Sequence, residues 1–155
     1  MNHRRWLIPA ALLVAGDLYY VDDEGRPFVK VHPGELVDLP VLTGLEDRDC
    51  LLRTDGALGQ VAIRHGLRLI GALAQAEGLG SVSEVHISLE EGYSFFLNDG
   101  GAEVLLGFDD FETKLRRLAA LREREGLDLH KVGRVNLDLE RAAVVTALPS
   151  RVLRR

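Results

Sequence analysis

The segment "VHISLEEGYSFFLNDGGAEVLLG", residues 85–107, decides the fold of this 155-residue chain. Its first part alternates apolar and polar side chains, which is typical of a strand with one buried face. Two turn signals follow, Glu90-Glu91-Gly92 and the Asn-Asp-Gly-Gly sequence of residues 98–101. Turns of this composition join antiparallel neighbours. The segment therefore predicts a three-stranded meander over residues 85–89, 93–97 and 102–106.

A helix is predicted on each side of this meander, and a glycine follows each helix as a stop signal. Residues 58–77 form the first helix, with an apolar side that contains Leu58, Ala62, Leu69, Leu73 and Ala76. The second helix is predicted to begin at Asp109, which forms a capping box with Glu112. Arg117 is predicted on its water-facing side.

Further strands are predicted towards both ends of the chain, over residues 12–14, 18–21, 28–31, 134–139 and 142–148. The order is then strands, a helix, three strands, a helix and two strands. This order predicts an α+β fold, with a mainly antiparallel sheet and two helices packed on one face.

The stretch "LPVLTG", residues 39–44, is interpreted as a rigid corner of this fold. Pro40 restricts its own backbone and favours an extended Leu39, while Gly44 allows a turn that other residues resist. Val41 and Leu42 are then expected to enter the core beneath the first helix.

One domain is predicted over residues 9–149, between a flexible N-terminus of residues 1–8 and a basic tail of residues 150–155. Residues 6–15 imitate the apolar part of a signal peptide. They are shorter than the roughly 20 residues of a membrane span. Because they run directly into a second strand-like segment, a buried strand is the favoured interpretation.

The charge and the cysteine and histidine content argue against several functions. The net charge of -5 provides no basic field for a nucleic-acid backbone. The lone Cys50 cannot form an internal disulfide. The five histidines lack the spacing of metal ligands, and the acidic run of residues 22–25 lacks that of a calcium loop, so the run is interpreted as a solvated turn. No metal or other cofactor is expected.

Catalysis is a minor hypothesis. The serines lack a Gly-x-Ser-x-Gly elbow, and no histidine and aspartate are placed to activate them in a recognisable motif. A small hydrolase remains an alternative if the fold brings His86 and Ser88 into a cleft with an aspartate.

The last predicted strand is apolar on both faces and carries no charge from Ala142 to Leu148. Natural sheet edges are normally blunted by lysine, proline or bulges. An unprotected edge of this kind favours the addition of a partner strand. The alternative is that another strand, or the N-terminal segment, covers this edge.

The whole pattern resembles the C-terminal β domain of the FtsQ/DivIB family of bacterial cell-division proteins. The resemblance is carried by "LYYVDDEGRPF" (18–28), "LPVLTG" (39–44), the meander of residues 85–107, "KLRRLAAL" (114–121) and "RVNLDLERAAVV" (134–145), in this order.

This resemblance implies a non-enzymatic scaffold of the division machinery, which acts in septum formation on the extracytoplasmic side of the inner membrane. It implies FtsB/FtsL-type partners that add a strand at the C-terminal sheet edge. The implied partner-binding residues are Leu139, Arg141, Ala142, Ala143, Val144, Val145 and Thr146.

Family members normally carry a membrane helix and a POTRA domain before this region. Membrane association is therefore expected through a segment absent from this chain. Residues 1–8 can be a remnant of the last POTRA strand. A module for envelope assembly with other partners is the alternative.

Overall fold

The computed structural model describes residues 9–35, 37–45 and 57–148, so Cys50 and the predicted terminal segments 1–8 and 150–155 lie outside it. Within these residues, nine strands form one sheet in the order β3-β2-β1-β4-β5-β6-β7-β8-β9. The strands are β1 (Ala11–Ala15), β2 (Asp17–Val21), β3 (Pro27–Lys30), β4 (Val41–Thr43), β5 (Val82–Ser88), β6 (Gly92–Leu97), β7 (Glu103–Gly107), β8 (Val132–Asn136) and β9 (Val144–Ala147). The helices are α1 (Ala57–Gln75) and α2 (Phe111–Arg124).

The sheet is mainly antiparallel, as predicted. Three neighbouring pairs are parallel: β1 with β4, β4 with β5, and β7 with β8. Two of these pairs are separated in the chain by a helix, α1 before β5 and α2 before β8. Parallel neighbours need such a crossover, because their ends are too far apart for a tight turn.

The middle of the stretch of residues 39–44 is a strand, so its interpretation as a corner is wrong. Val41–Thr43 forms β4, which pairs with β1 on one side and with β5 on the other. Leu42 is fully buried, as predicted. Gly44 follows at φ +90, where an added Cβ would lie 2.0 Å from the carbonyl oxygen of Ile87. The turn after β4 therefore requires glycine at this position.

A single row of side chains crosses the sheet from β1 to β8. Residues opposite each other on neighbouring strands share a face. The row consists of Leu13, Leu42, Val85, Phe95, Val104 and Val135. All six are fully buried. The hydrophobic core therefore extends along this face as far as β8.

Both helices cover the face that carries this row. An added Cβ on Gly66 of α1 would lie 2.9 Å from Leu42 Cδ2 and 3.8 Å from Tyr93. The Tyr93 hydroxyl donates a hydrogen bond to the carbonyl oxygen of Ala62 at 2.9 Å. Its ring meets Phe111 of α2 edge-on, with centroids 5.5 Å apart. Burial raises the pKa of Tyr93 to about 12, so this donor keeps its proton at neutral pH.

Two details of the predicted helices are wrong. Leu58 is 65% exposed, because the buried stripe of α1 runs through Ile63, Leu69 and Leu73. The capping box is absent: α2 is capped at Asp110, which has φ 52 and makes no side-chain capping bond. The Asp109 carboxylate lies instead 3.4 Å from Lys114 Nζ.

The turn between β2 and β3 was interpreted as solvated, which is wrong for Asp22, because the carboxylate of this residue is buried and organises the turn. Asp22 is 2% exposed. It accepts hydrogen bonds from the amides of Glu24 and Arg26 and from Arg26 Nε, at 3.0, 2.9 and 3.1 Å. Burial raises the pKa of Asp22, but the bonds from Arg26 and Glu24 outweigh this effect and hold the pKa below its usual value.

We expect Leu42→Ala to lower the free energy of unfolding by about 2–5 kcal/mol, because it opens a cavity in the row of buried side chains. Urea unfolding measures the change. Leu58→Ala is the matched control, and a surface change of this kind is expected to alter stability by less than about 0.5 kcal/mol. Equal effects of the two substitutions would contradict the central position of β4.

We expect Asp22→Asn to destabilise the domain at neutral pH, with a difference from the wild type that shrinks as the pH falls. The folded-state pKa lies below the unfolded-state value of about 3.9. The carboxylate therefore stabilises the fold above about pH 4, and this contribution is lost as the pH falls through the folded-state pKa. Urea unfolding between pH 7 and pH 3 measures the difference, and a constant difference would contradict the assignment.

Candidate partner-binding edge

The strand β9 forms one margin of the sheet. It pairs with β8 alone among the described residues, and all four of its residues are exposed. Val144 and Val145 are 51% and 44% exposed. The described part of the N-terminal segment, β1, lies in the interior of the sheet. Within the described ranges, the chain therefore leaves this margin uncovered.

The opposite margin, β3, carries two features that discourage strand addition. It begins with Pro27, which has no amide hydrogen to donate, and ends with Lys30. Lys30 Nζ lies 2.8 Å from Asp17 Oδ2 on the adjacent strand. The residues of β9 include neither proline nor a charge. The edge at β3 is therefore protected against the addition of a further strand, whereas the edge at β9 is not.

The two faces of β9 meet different surroundings. Val145 lies opposite Val135 and so extends the buried row to the margin. On the other face, Val144 and Thr146 lie opposite Asn136 and Arg134. An added strand would shield Val145 from water and would provide partners for the outer backbone groups of β9.

The predicted strand of residues 142–148 is longer than the observed one. Ala142 and Ala143 precede β9 without belonging to it, although Ala143 packs against the core. Leu139, predicted as the last residue of the preceding strand, lies beyond β8 and is 43% exposed. The chain leaves the sheet after Leu137, where the Asp138 amide donates to Asn136 Oδ1 at 2.9 Å. Arg141 is exposed in the connection between β8 and β9.

Arg117 of α2 holds this connection in place, and its predicted water-facing role is wrong. Its guanidinium donates to the carbonyl oxygens of Leu139 and Glu140 at 2.8 and 2.9 Å, and also to that of Leu137. One side chain therefore binds three backbone groups in the segment that leads to β9. The sequence carries no signal for this role, because an arginine at this helical position is equally typical of a solvated face.

Lys114 of α2 also binds the connection between β8 and β9, through Asp138. It is 8% exposed, and its Nζ donates to the carbonyl oxygen of Leu106 at 2.7 Å and to Asp138 Oδ1 at 3.0 Å. These partners offset the cost of burying an ammonium group. Gly107 provides the space, since an added Cβ there would lie 1.9 Å from Asp138 Oδ1. Asp138 is thereby locked between β7 and α2.

The side chains considered for a hydrolase have other structural roles. Thr43 stands between His86 and Glu84: its hydroxyl lies 2.9 Å from His86 Nδ1 and donates to the Glu84 carboxylate. In the catalytic triad of a hydrolase, the histidine instead lies between the nucleophile and the carboxylate. Ser88 Oγ accepts bonds from the amides of Glu90 and Glu91, which stabilise the turn after β5.

The described residues contain no cluster of three or more histidine, cysteine, aspartate or glutamate side chains that could hold a metal ion. Neither α1 nor α2 combines the length and apolar character that a membrane-spanning helix needs.

The family of this chain is shown by its similarity to known proteins. A model of the C-terminal region of the cell division protein FtsQ/DivIB matches residues 11–138. The chain belongs to the FtsQ/DivIB family. The resemblance inferred from the sequence is confirmed.

Individual FtsQ proteins are similar over most of this chain. The cell division protein FtsQ of Myxococcus fulvus is 37% identical over 118 residues, which are 76% of this chain and 41% of that protein. The FtsQ of an Anaeromyxobacter species is 41% identical over 113 residues, 71% of this chain and 37% of that protein. The FtsQ of a Geobacter species is 32% identical over 132 residues, 84% and 47% of the two chains. The chain thus spans about two fifths of the length of the first two relatives.

The FtsQ/DivIB match contains β1 to β8 and both helices, and it ends at Asp138. It therefore includes Arg117 and Lys114, which hold the connection to β9. The seven predicted partner residues, which begin at Leu139, lie beyond the matched range. Their assignment stays a prediction that depends on the geometry of the sheet edge.

We expect Arg117→Ala to free the connection between β8 and β9. The loss of three charge-assisted bonds costs about 1–3 kcal/mol. Hydrogen exchange at the backbone amides of residues 138–143 should therefore accelerate by about tenfold or more. Arg116→Ala is the matched control, because the neighbouring Arg116 bonds within α2 to Thr113 Oγ1 at 3.0 Å. Equal exchange in the two variants would contradict the anchoring role of Arg117.

Proposed function

We propose that this chain is the β domain of a bacterial division protein that captures FtsB/FtsL-type partners by strand addition to β9. The main support for this proposal is the uncovered margin at β9. This strand is exposed on both faces and lacks the proline and the lysine that protect β3. Membership of the FtsQ/DivIB family supports a role in cell division.

The physical basis of this capture is main-chain hydrogen bonding combined with burial at alternate side chains. The backbone groups on the outer side of β9 accept and donate without regard to partner sequence. Selectivity comes from the two faces, where Val145 extends the apolar row and Val144 lies beside Asn136. The connection fixed by Arg117 keeps β9 ordered before the partner arrives, which lowers the entropic cost of binding.

The proposed role is that of a scaffold without catalytic activity. It acts in septum formation on the extracytoplasmic side of the inner membrane. The domain boundaries at residues 9 and 149 belong to this proposal, with residues 150–155 as a basic tail.

We expect Val145→Glu to weaken binding of the soluble extracytoplasmic segments of FtsB and FtsL from the same organism by at least about tenfold, because it places a charge where the partner strand must pack. Titration calorimetry measures the affinity, and an unchanged melting temperature verifies the fold. The matched control is Val29→Glu, which puts the same charge on the opposite edge strand. Equal binding by both variants and the wild type would contradict capture at β9.

Strand addition is separated from other docking modes by methylating single backbone amides of the partner segment. In an added strand, alternate amides point towards β9. Methylation should therefore abolish binding at every second position and leave it nearly unchanged between them. An effect at every position, or at none, would contradict the proposed mode.

Failure to bind FtsB and FtsL, together with β9-dependent binding to another envelope protein, would favour the envelope-assembly alternative.

A further inference from the structure

A groove of about 430 Å³ lies between the two helices. The end of α1, with the residues that follow it, forms one wall, and α2 forms the other. The apolar part of the lining consists of Ala72, Ala76, Leu115 and Ala119. Because three of these four residues are alanines, the side chains of the two helices do not fill the space between them. We name this feature the helix groove.

Contacts at both ends of α2 hold the walls of the helix groove in place. Near the end of α2, Arg122 Nη1 donates a hydrogen bond to the carbonyl oxygen of Gly78, just after α1, at 2.8 Å. At the start of α2, the ring of Phe111 meets Tyr93, whose hydroxyl bonds to Ala62 of α1. The groove is therefore formed before a ligand arrives, which lowers the entropic cost of binding.

The helix groove and the edge strand β9 lie on different sides of α2. The α2 residues that carry most of the groove recur every three or four positions and so share one side of the helix. They are Glu112, Arg116, Ala119 and Glu123. Arg117 and Lys114 instead extend to the connection between β8 and β9. A ligand in the groove therefore does not occupy the place of a strand added to β9.

The rim of the helix groove is acidic. It carries three carboxylates, those of Glu77, Glu112 and Glu123, and one cation, Arg116. In the part of the chain that the structure describes, none of these three carboxylates makes an ion pair or a side-chain hydrogen bond. Arg116 Nη2 donates within α2 to Thr113 Oγ1 at 3.0 Å. The uncompensated negative charge around an apolar floor favours a ligand that is both apolar and basic.

The dimensions of the helix groove suit a third helix. The lining of α2 runs from Glu112 to Glu123, a rise of about 16 Å, which is about three turns. A second cavity of about 400 Å³ adjoins the far end and shares Ala119 and Glu123 with the groove. Leu97 and Leu129 lie in its wall, so this end has room for one larger apolar side chain.

We propose that the helix groove binds an amphipathic helix of a partner protein, with an apolar stripe of about three turns flanked by lysine or arginine. The stripe packs on Ala72, Ala76 and Ala119, as in other complexes where a helix lies in a groove. The flanking cations pair with the carboxylates of Glu112 and Glu123. The inference goes beyond the proposed function, because it gives the scaffold a second surface that can be occupied together with β9.

The probe for this site is a synthetic helical peptide of about fourteen residues, with alanine and leucine along one stripe and lysine beside it. The comparison peptide carries glutamate in place of lysine. Titration calorimetry with the complete 155-residue chain measures both affinities. We expect the lysine peptide to bind at least about tenfold more tightly. Equal affinities would overturn the inference.

The position of the peptide is tested by filling the groove with Ala119→Phe. We expect this substitution to weaken the lysine peptide by at least about tenfold, because the ring takes the place of the apolar stripe. Ala74→Phe is the control, since Ala74 is an exposed residue of α1 that does not line the groove. An unchanged melting temperature verifies the fold of both variants. Equal affinity for the two variants would overturn the inference.

The role of the rim is tested with the double variant Glu112→Gln and Glu123→Gln. We expect weaker binding of the lysine peptide at low salt and a smaller dependence of affinity on salt concentration. The double variant Glu90→Gln and Glu125→Gln removes the same charge away from the groove. Equal losses in the two double variants would show attraction to the acidic chain as a whole and would overturn the inference.

The remaining outcomes separate the helix groove from other sites and occupants. If Val145→Glu weakens the lysine peptide as strongly as Ala119→Phe, the peptide binds at β9 and the inference is overturned. It is also overturned if light scattering shows a dimer that Ala119→Phe dissociates, since a second copy then occupies the groove. Tenfold tighter peptide binding after removal of residues 150–155 would identify this basic segment as the occupant, with the same consequence.

Failure of the proposed function is distinguishable from failure of this inference. If Val145→Glu leaves FtsB/FtsL binding unchanged while Ala119→Phe weakens the lysine peptide, capture at β9 is refuted and the helix groove stands. The reverse result refutes the helix groove and leaves capture at β9 in place.

Discussion

The pairing of β4 between β1 and β5 is the constraint on which the rest of the structure depends. The strand has three residues, yet it joins the N-terminal hairpin to the meander through parallel ladders on both sides. Its central side chain, Leu42, continues the buried row from Leu13 to Val85. Because a shift by one residue would turn this side chain to the other face, the register of β4 aligns the cores of both halves.

The same row explains why the two edges of the sheet differ. Burial is complete as far as Val135, and the next member, Val145, is only half covered. The fold therefore ends on an apolar position that its own described residues do not shield. At the other edge, the sheet closes with a proline and a paired lysine. A domain with one blunted and one open edge is suited to adding a strand on a single side.

Local patterns predicted most of the secondary structure. The alternation of apolar and polar side chains before Glu90, together with the glycine-rich turns, specified the meander. The apolar runs towards the two ends of the chain specified the pairs β2–β3 and β8–β9. Two features depended on distant partners and escaped prediction. The strand β4 is too short to show a period, and it is stabilised by neighbours that come from both sides of it in the chain. Arg117 and Lys114 bind groups 23 and 24 residues further along the chain, so their neighbours in the sequence carry no sign of these contacts.

The sequence by itself determined the α+β class, the position of both helices and the uncharged final strand, because these depend on side-chain periodicity and on glycine and proline placement. Only the tertiary structure decided that β9 is a margin, that β4 lies in the middle of the sheet, and that Arg117 and Lys114 bind the connection between β8 and β9. Strand order and the packing of separate connections arise from contacts between residues far apart in the chain. Local patterns carry no information about which of those contacts form.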